Sequence, residues 1–177
     1  MKIALTLIVT LILIVLVAGM VVPREFNVER DVFIKRPRSE VFAAVRSLRQ
    51  HDRWNPWIKK DPATVIDYKG ADNIVGSLST WSGNDEVGAG EREITAIRDD
   101  ERIDVEVRIS RPMETINHSY IITEAVSENE TRVKWGLTSQ MRFPMNIVCL
   151  VMDLKGKLAV DFDEGLSMLK ADLEQTK

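Results

Sequence analysis

Two histidines, His51 and His118, are the side chains of this sequence suited to moving protons near neutral pH. His118 shares strand parity with Ile116, Tyr120 and Ile122, so an extended stretch there turns a histidine and a tyrosine to one face, where they could line a cavity. His118, Tyr68 or Tyr120 could then serve as acid or base on a carbonyl substrate. The same residues also fit a plainer role, with His118 satisfied or merely exposed at a strand edge. No nucleophile, paired base or oxyanion hole is readable beside them, so no catalytic residue is assigned. Asp153, Asp161, Asp163 and Glu164 resemble a carboxylate cluster, but helical geometry turns Asp161 and Asp163 to different faces, and a solvated helix face accounts for them. No metal-ligand spacing of the usual kinds is present, and Cys149 is the single cysteine, which excludes an intrachain disulfide and a cysteine-based metal site. Neither metal nor cofactor is expected.

The aromatic residues carry more information. Trp54, Trp57, Tyr68, Trp81, Trp135, Phe143 and Phe162 fall at strand, loop and helix positions. Large rigid apolar groups with a polar edge suit a pocket for a lipid-like or polycyclic molecule, although each one alone fits ordinary core packing. The candidate ligand-binding set is therefore Trp57, Tyr68, Trp81, His118, Tyr120, Trp135, Phe143 and Phe162. Met113, Met141, Met145 and Met152 add adaptable apolar surface, and Pro144 lies where a pocket mouth would be. The glycines of Trp81-Ser82-Gly83-Asn84, with Gly88 and Gly90, read as a hairpin turn rather than a phosphate loop, because strand-like Glu91-Arg92-Glu93-Ile94 follows instead of a helix.

Those residues need elements to hold them. Residues 3–22 form an uncharged apolar run whose helical length matches a bilayer core. The sequence thus predicts a transmembrane anchor over 1–23 and one domain over 24–177, single-pass and facing away from the cytoplasm. The alternative for the same run is a cleaved signal peptide. A net charge of −3 with scattered cations gives no nucleic-acid footprint. Strand patterns run over Phe26 to Ile34, Val65 to Tyr68, Ser77 to Trp81, Gly90 to Ile97, Arg102 to Ile109, Thr115 to Val126 and Thr131 to Ser139. A helix opens at Pro37-Arg38-Ser39-Glu40, and His51 to Pro62 reads as a loop or short helix. Ile147, Val151, Leu154, Leu158, Phe162, Leu166, Leu169 and Leu173 make one stripe of a long C-terminal helix, in which Gly156 and Gly165 point to a bend or a close approach.

Several local patterns resemble a known family. They are Val28-Glu29-Arg30, Phe33-Ile34-Lys35 and Val41-Phe42, then Trp54-Asn55-Pro56-Trp57, Asp61-Pro62, Tyr68-Lys69-Gly70 and Gly76-Ser77. Trp81 to Asn84, Val87 to Gly90, Thr131 to Trp135, Met152-Asp153, Asp161-Phe162, Gly165-Leu166 and Leu169-Lys170 continue the series. Together they resemble the SRPBCC superfamily of START-like helix-grip proteins, and within it the polyketide cyclase/dehydrase-type branch. The resemblance implies an α+β helix-grip fold, a curved antiparallel sheet wrapped around a long C-terminal helix. It also implies a hydrophobic small molecule or lipid held between the two. The expectation is a membrane-anchored binding domain; a cyclase/dehydrase-like enzyme and an interaction module with a filled core are the alternatives. The oligomeric state is not readable.

Overall fold

The computed structural model describes residues 2, 3, 7, 10, 17, 19, 21–141 and 143–175. Most of the expected anchor, 1–23, therefore lies outside the described residues. Among the described residues no helix is long and apolar enough to cross a membrane. That overturns the expectation of a single-pass membrane location with an extracytoplasmic domain, and the expected bilayer partner is not shown. A span needs about 20 predominantly apolar residues in one helix, and the longest described helix is interrupted by charges from Lys155 to Glu174.

The order of elements is β1 (Glu25–Ile34), α1 (Arg38–Val45), α2 (Leu48–Trp54), α3 (Pro56–Lys60), β2 (Val65–Lys69), β3 (Leu78–Ser82) and β4 (Ala89–Arg98). β5 (Arg102–Arg111), β6 (Thr115–Ser127), β7 (Glu130–Gln140), α4 (Met145–Val151) and α5 (Leu154–Gln175) complete it. The seven strands form one sheet in the order β1-β7-β6-β5-β4-β3-β2, with every neighbouring pair antiparallel. The three short helices carry the chain from one edge strand to the other, and α5 returns across the concave face.

Local chemistry explains the short helices. Ser47 caps α2 by accepting from the Gln50 N–H at 3.0 Å, and Asn55 caps α3 by accepting from Trp57 N–H at 3.0 Å. Pro56 occupies the first turn of α3, where no N–H is needed. The Trp-Asn-Pro-Trp run is thus a helix end, a cap, a helix start and an aromatic anchor in four residues.

The expected single C-terminal helix is two. Asp153 sits in the left-handed region at φ 48°, and its Oδ1 accepts from Gly156 N–H at 3.1 Å, starting α5 afresh. The apolar stripe therefore does not run through: Val151 is 79% exposed, whereas Phe162, Leu166 and Leu169 are buried. Those three meet Val28, Ile34, Phe42, Trp54, Val133 and Trp135 in the core.

Gly165 resolves as a close approach. A Cβ there would stand 2.8 Å from the Trp135 ring and 3.2 Å from Pro56, both rigid neighbours. Alanine would gain about 1 kcal/mol of helix propensity but would overpack the core at a cost of about 1–3 kcal/mol. Because neither neighbour can yield, overpacking wins: Gly165→Ala is expected to lower the denaturation midpoint with an unchanged m-value. A midpoint at or above that of the parent protein would show that α5 can move away from Trp135.

Candidate functional site

Strand register lays the floor of the concavity out in rows. One row crosses the whole sheet, Tyr68 opposite Ser79, Ser79 opposite Arg92, Arg92 opposite Val107, Val107 opposite Asn117, Asn117 opposite Ser139, and Ser139 opposite Phe26. It is flanked on one side by Ile66, Trp81, Gly90, Ile109 and Thr115. On the other side run Ile94, Val105, Ser119, Leu137 and Val28. A mainly polar stripe is thus set between two mainly apolar ones.

Burial divides this floor. Under the C-terminal half of α5 the inward side chains Ile103, Ile121, Val133 and Trp135 are fully covered. Trp81, Val107, Ile109 and Leu137 also point into the concavity but are only half-buried, as are Trp57 on α3 and Leu158 on α5. One half of the concavity is packed solid, and in the other half these apolar side chains stay half-buried. A hollow of about 390 Å³ lies between edge strand β1 and the start of α5, where Asn27, Glu29, Arg30, Asp153 and Lys155 line it together with Val28, Gly156 and Ala159. A space of about 10 Å³ under Tyr68 has room for a single water.

Aromatic rings close the packed half. Trp135 and Phe162 stack at 4.1 Å between centroids with planes 2° apart, while Trp54 and Trp57 meet Trp135 edge-on at 5.3 and 6.0 Å. The indole N–H of Trp135 donates to Ser119 Oγ at 3.1 Å, which in turn donates to the Gly136 carbonyl at 3.0 Å.

A charged network sits at the other end of the polar row. Arg92 donates from Nε to Ser79 Oγ at 2.7 Å, from Nη1 to His51 Nδ1 at 2.7 Å, and from Nη2 to Asp52 and to the Leu48 carbonyl at 3.3 Å. Tyr68 donates its phenol to Asp52 Oδ2 at 2.5 Å. Since a guanidinium only donates, His51 Nδ1 must accept, and the imidazole proton is on Nε2. Burial, with the Arg92 charge beside it, pushes the His51 pKa well below the usual histidine range. Burial and the bond to Asp52 push the Tyr68 phenol up to about 12.

The sequence-predicted residues fall into two groups. Trp57, Tyr68, Trp81, Trp135 and Phe162 surround the concavity. His118 and Tyr120 point to the opposite, convex face, where Tyr120 donates to Glu29 Oε2 at 2.5 Å and stacks under Arg102 at 4.4 Å. Phe143 is exposed in the turn before α4, with its ring against Gly19. The parity expected for His118 holds, but the face is the other one. The inward set of β6 is Asn117, Ser119, Ile121 and Thr123, less apolar than the outward set that guided the reading. Asp52, Ser79, Arg92, Asn117 and Ser139 are absent from the sequence-predicted set, and His51 enters it only as one of two histidines. Strand alternation would have offered Asn117 and Ser139, whereas the pairing of Arg92 with α2 has no local signature.

Sequence comparison is silent: no protein-family model matches the chain, and no curated protein matches it. The solved structures are informative. Norcoclaurine synthase from Thalictrum flavum, determined with dopamine and hydroxybenzaldehyde, is similar with a TM-score of 0.64 at 11% identity, over 90% of this chain and 93% of its own. A Nitrosospira multiformis protein gives a TM-score of 0.62 at 14% identity, over 83% and 95%. The chain shares with these structures the helix-grip fold, an antiparallel sheet with a long C-terminal helix across it. DynU16, a protein of the dynemicin biosynthetic locus, shares this helix-grip fold with a TM-score of 0.59 at 14% identity, over 85% of this chain and 48% of its own.

The neutral His51 has a consequence for stability. Its folded pKa is depressed, so its contribution is complete above the unfolded value of about 6.5 and is lost as pH falls from there toward the folded value. Between pH 7.5 and 5.5 the protein should lose stability by up to about 1.4 kcal/mol per pH unit below 6.5. His51→Asn, which keeps an acceptor for Arg92, should show a shallower fall in denaturant titrations across that range. Identical slopes would mean that His51 titrates normally in the folded state.

Proposed function

We propose that this chain binds an apolar small molecule in the open half of the concavity, between the sheet and the N-terminal half of α5. The observation that carries this is the partial exposure of inward-facing Trp81, Val107, Ile109 and Leu137 on a face whose other half is sealed. Apolar side chains on a concave floor that the protein's own core leaves uncovered offer burial area to a ligand. The similar fold of norcoclaurine synthase, held with two small aromatic molecules, supports the same reading. An interaction module with a filled core fits less well, because only one half is filled.

Binding is also favoured over a cyclase/dehydrase-like reaction. His51 is engaged by Arg92 and packed against Trp54 and Trp135, with centroids at 4.0 and 5.4 Å. Tyr68 is committed to Asp52. His118 and Tyr120 stand on the far side of the sheet.

The test is titration of the full chain with 1-anilinonaphthalene-8-sulfonate, followed by its fluorescence, against a Val107→Trp variant that fills the groove. The parent should bind one probe per chain, and Val107→Trp should bind about tenfold more weakly at unchanged thermal stability, a loss on the scale of one buried aromatic contact set. Probe adsorbed on the exposed apolar face of α4 would survive the substitution. Equal binding by the two proteins would therefore sink the groove reading.

A further inference from the structure

From Phe143 to Met152 the sequence carries no charged residue, and much of this run lies on the surface. Phe143, Val148, Leu150, Val151 and Met152 are 40% to 79% exposed. Val148, Val151 and Met152 fall at the three- and four-residue steps that make one helix face. Asn146, the buried residue of α4, points the other way. It donates from Nδ2 to the carbonyls of Gly19 and Val22, at 3.3 and 3.1 Å, which lays exposed Val21 alongside the helix.

These six apolar side chains leave on the order of 600 Å² in water, at the upper limit for the free surface of a monomer. Lack of charge together with phenylalanine and methionine is the composition of an interface centre. The rim is charged, with both signs at both ends. Exposed Arg24 and Glu25 stand beside the start of the face, where the Arg24 carbonyl accepts from the Met141 N–H at 2.6 Å. Exposed Asp153 and Lys155 stand at its end.

We propose that this face joins two copies of the chain in a two-fold dimer, α4 of one copy lying antiparallel on α4 of the other. Two such faces bury on the order of 1,200 Å² together, the lower end of the range for stable interfaces. A two-fold contact uses the same patch on both copies and sets the start of one face against the end of the other. Arg24 then meets the partner's Asp153, and Lys155 meets the partner's Glu25, so that each cation has an anion. A lipid surface fits the patch less well, because anionic headgroups attract the two cations but repel the two carboxylates of the same rim.

Sedimentation equilibrium of the full chain in detergent-free buffer tests this. The parent should show twice the chain mass. Val151→Glu sets an unpaired charge inside the contact and should raise the dissociation constant by about a hundredfold or more. Its far-UV circular dichroism should not change, since Val151 lies outside the chain's own core. Glu25→Lys should weaken the dimer a few-fold, the scale of one exposed ion pair, and Lys155→Glu added to it should restore the parent value. A parent that sediments as a monomer, or a dimer indifferent to Val151→Glu, would overturn the proposal. Failure of the second charge reversal to restore the first would overturn the antiparallel arrangement. A monomeric parent that floats with phosphatidylcholine vesicles, and stops doing so with Val151→Glu, would overturn it in favour of a lipid surface.

Discussion

The contact on which the molecule depends is the stack of Trp135 on Phe162, one ring from the middle of β7 and one from the middle of α5, 4.1 Å apart and parallel. A seven-stranded sheet and a single helix cannot cover one another completely, so the helix must be held down somewhere and stand away elsewhere. Gly165 permits the approach, because the Trp135 ring and Pro56 occupy the space its Cβ would need. Trp54 and Trp57 close the sides. The clamp lies at the middle of α5, and the inward side chains are buried from there through Leu169. Leu154 and Leu158, nearer the start of the helix, remain half-buried over the open floor.

The second constraint is electrostatic. Arg92 and Asp52 are both about nine-tenths covered, and a charge taken out of water that far is costly unless paired and hydrogen-bonded. Each is. The guanidinium spends its donors on Ser79, His51, Leu48 and Asp52, and Asp52 also takes the Tyr68 proton donor. This network ties α2 to β2, β3 and β4 and meets the aromatic clamp through His51, whose ring lies 4.0 Å from Trp54 and 5.4 Å from Trp135. It also explains why the histidine near the concavity is neutral: a protonated imidazole would face Arg92 in a place with little water.

The convex face answers to different physics. Arg108 pairs with Glu91, Glu93 and Glu106 across two strands. Tyr120 lies over Gly136, where a Cβ would meet its ring at 2.1 Å, with Arg102 on the ring. Pairs this exposed contribute little each, but they suit a half-exposed face. His118 and Tyr120 belong to this outer layer, which is why a histidine and a tyrosine on one strand face say nothing here about acid–base chemistry.

The sequence by itself determined the element types and most of their limits: the seven strand patterns match the seven strands to within a residue or two, because alternation and helical spacing are local properties of the chain. It placed Trp57, Trp81, Trp135 and Phe162 around a concavity through their resemblance to a helix-grip pattern. Tertiary structure decided which face of β6 turns inward. Both of its faces carry apolar residues, and only pairing with β5 and β7 under α5 resolves the choice. It decided that the C-terminal stripe breaks at Asp153, a φ-dependent cap that periodicity passes over. It also brought Arg92 of β4 to His51 and Asp52 of α2, about 40 positions away, and Asn117 to Ser139, none of which any local pattern encodes. The groove depends on where one helix is clamped and where it is not, and that is a property of the packed molecule rather than of any stretch of the chain.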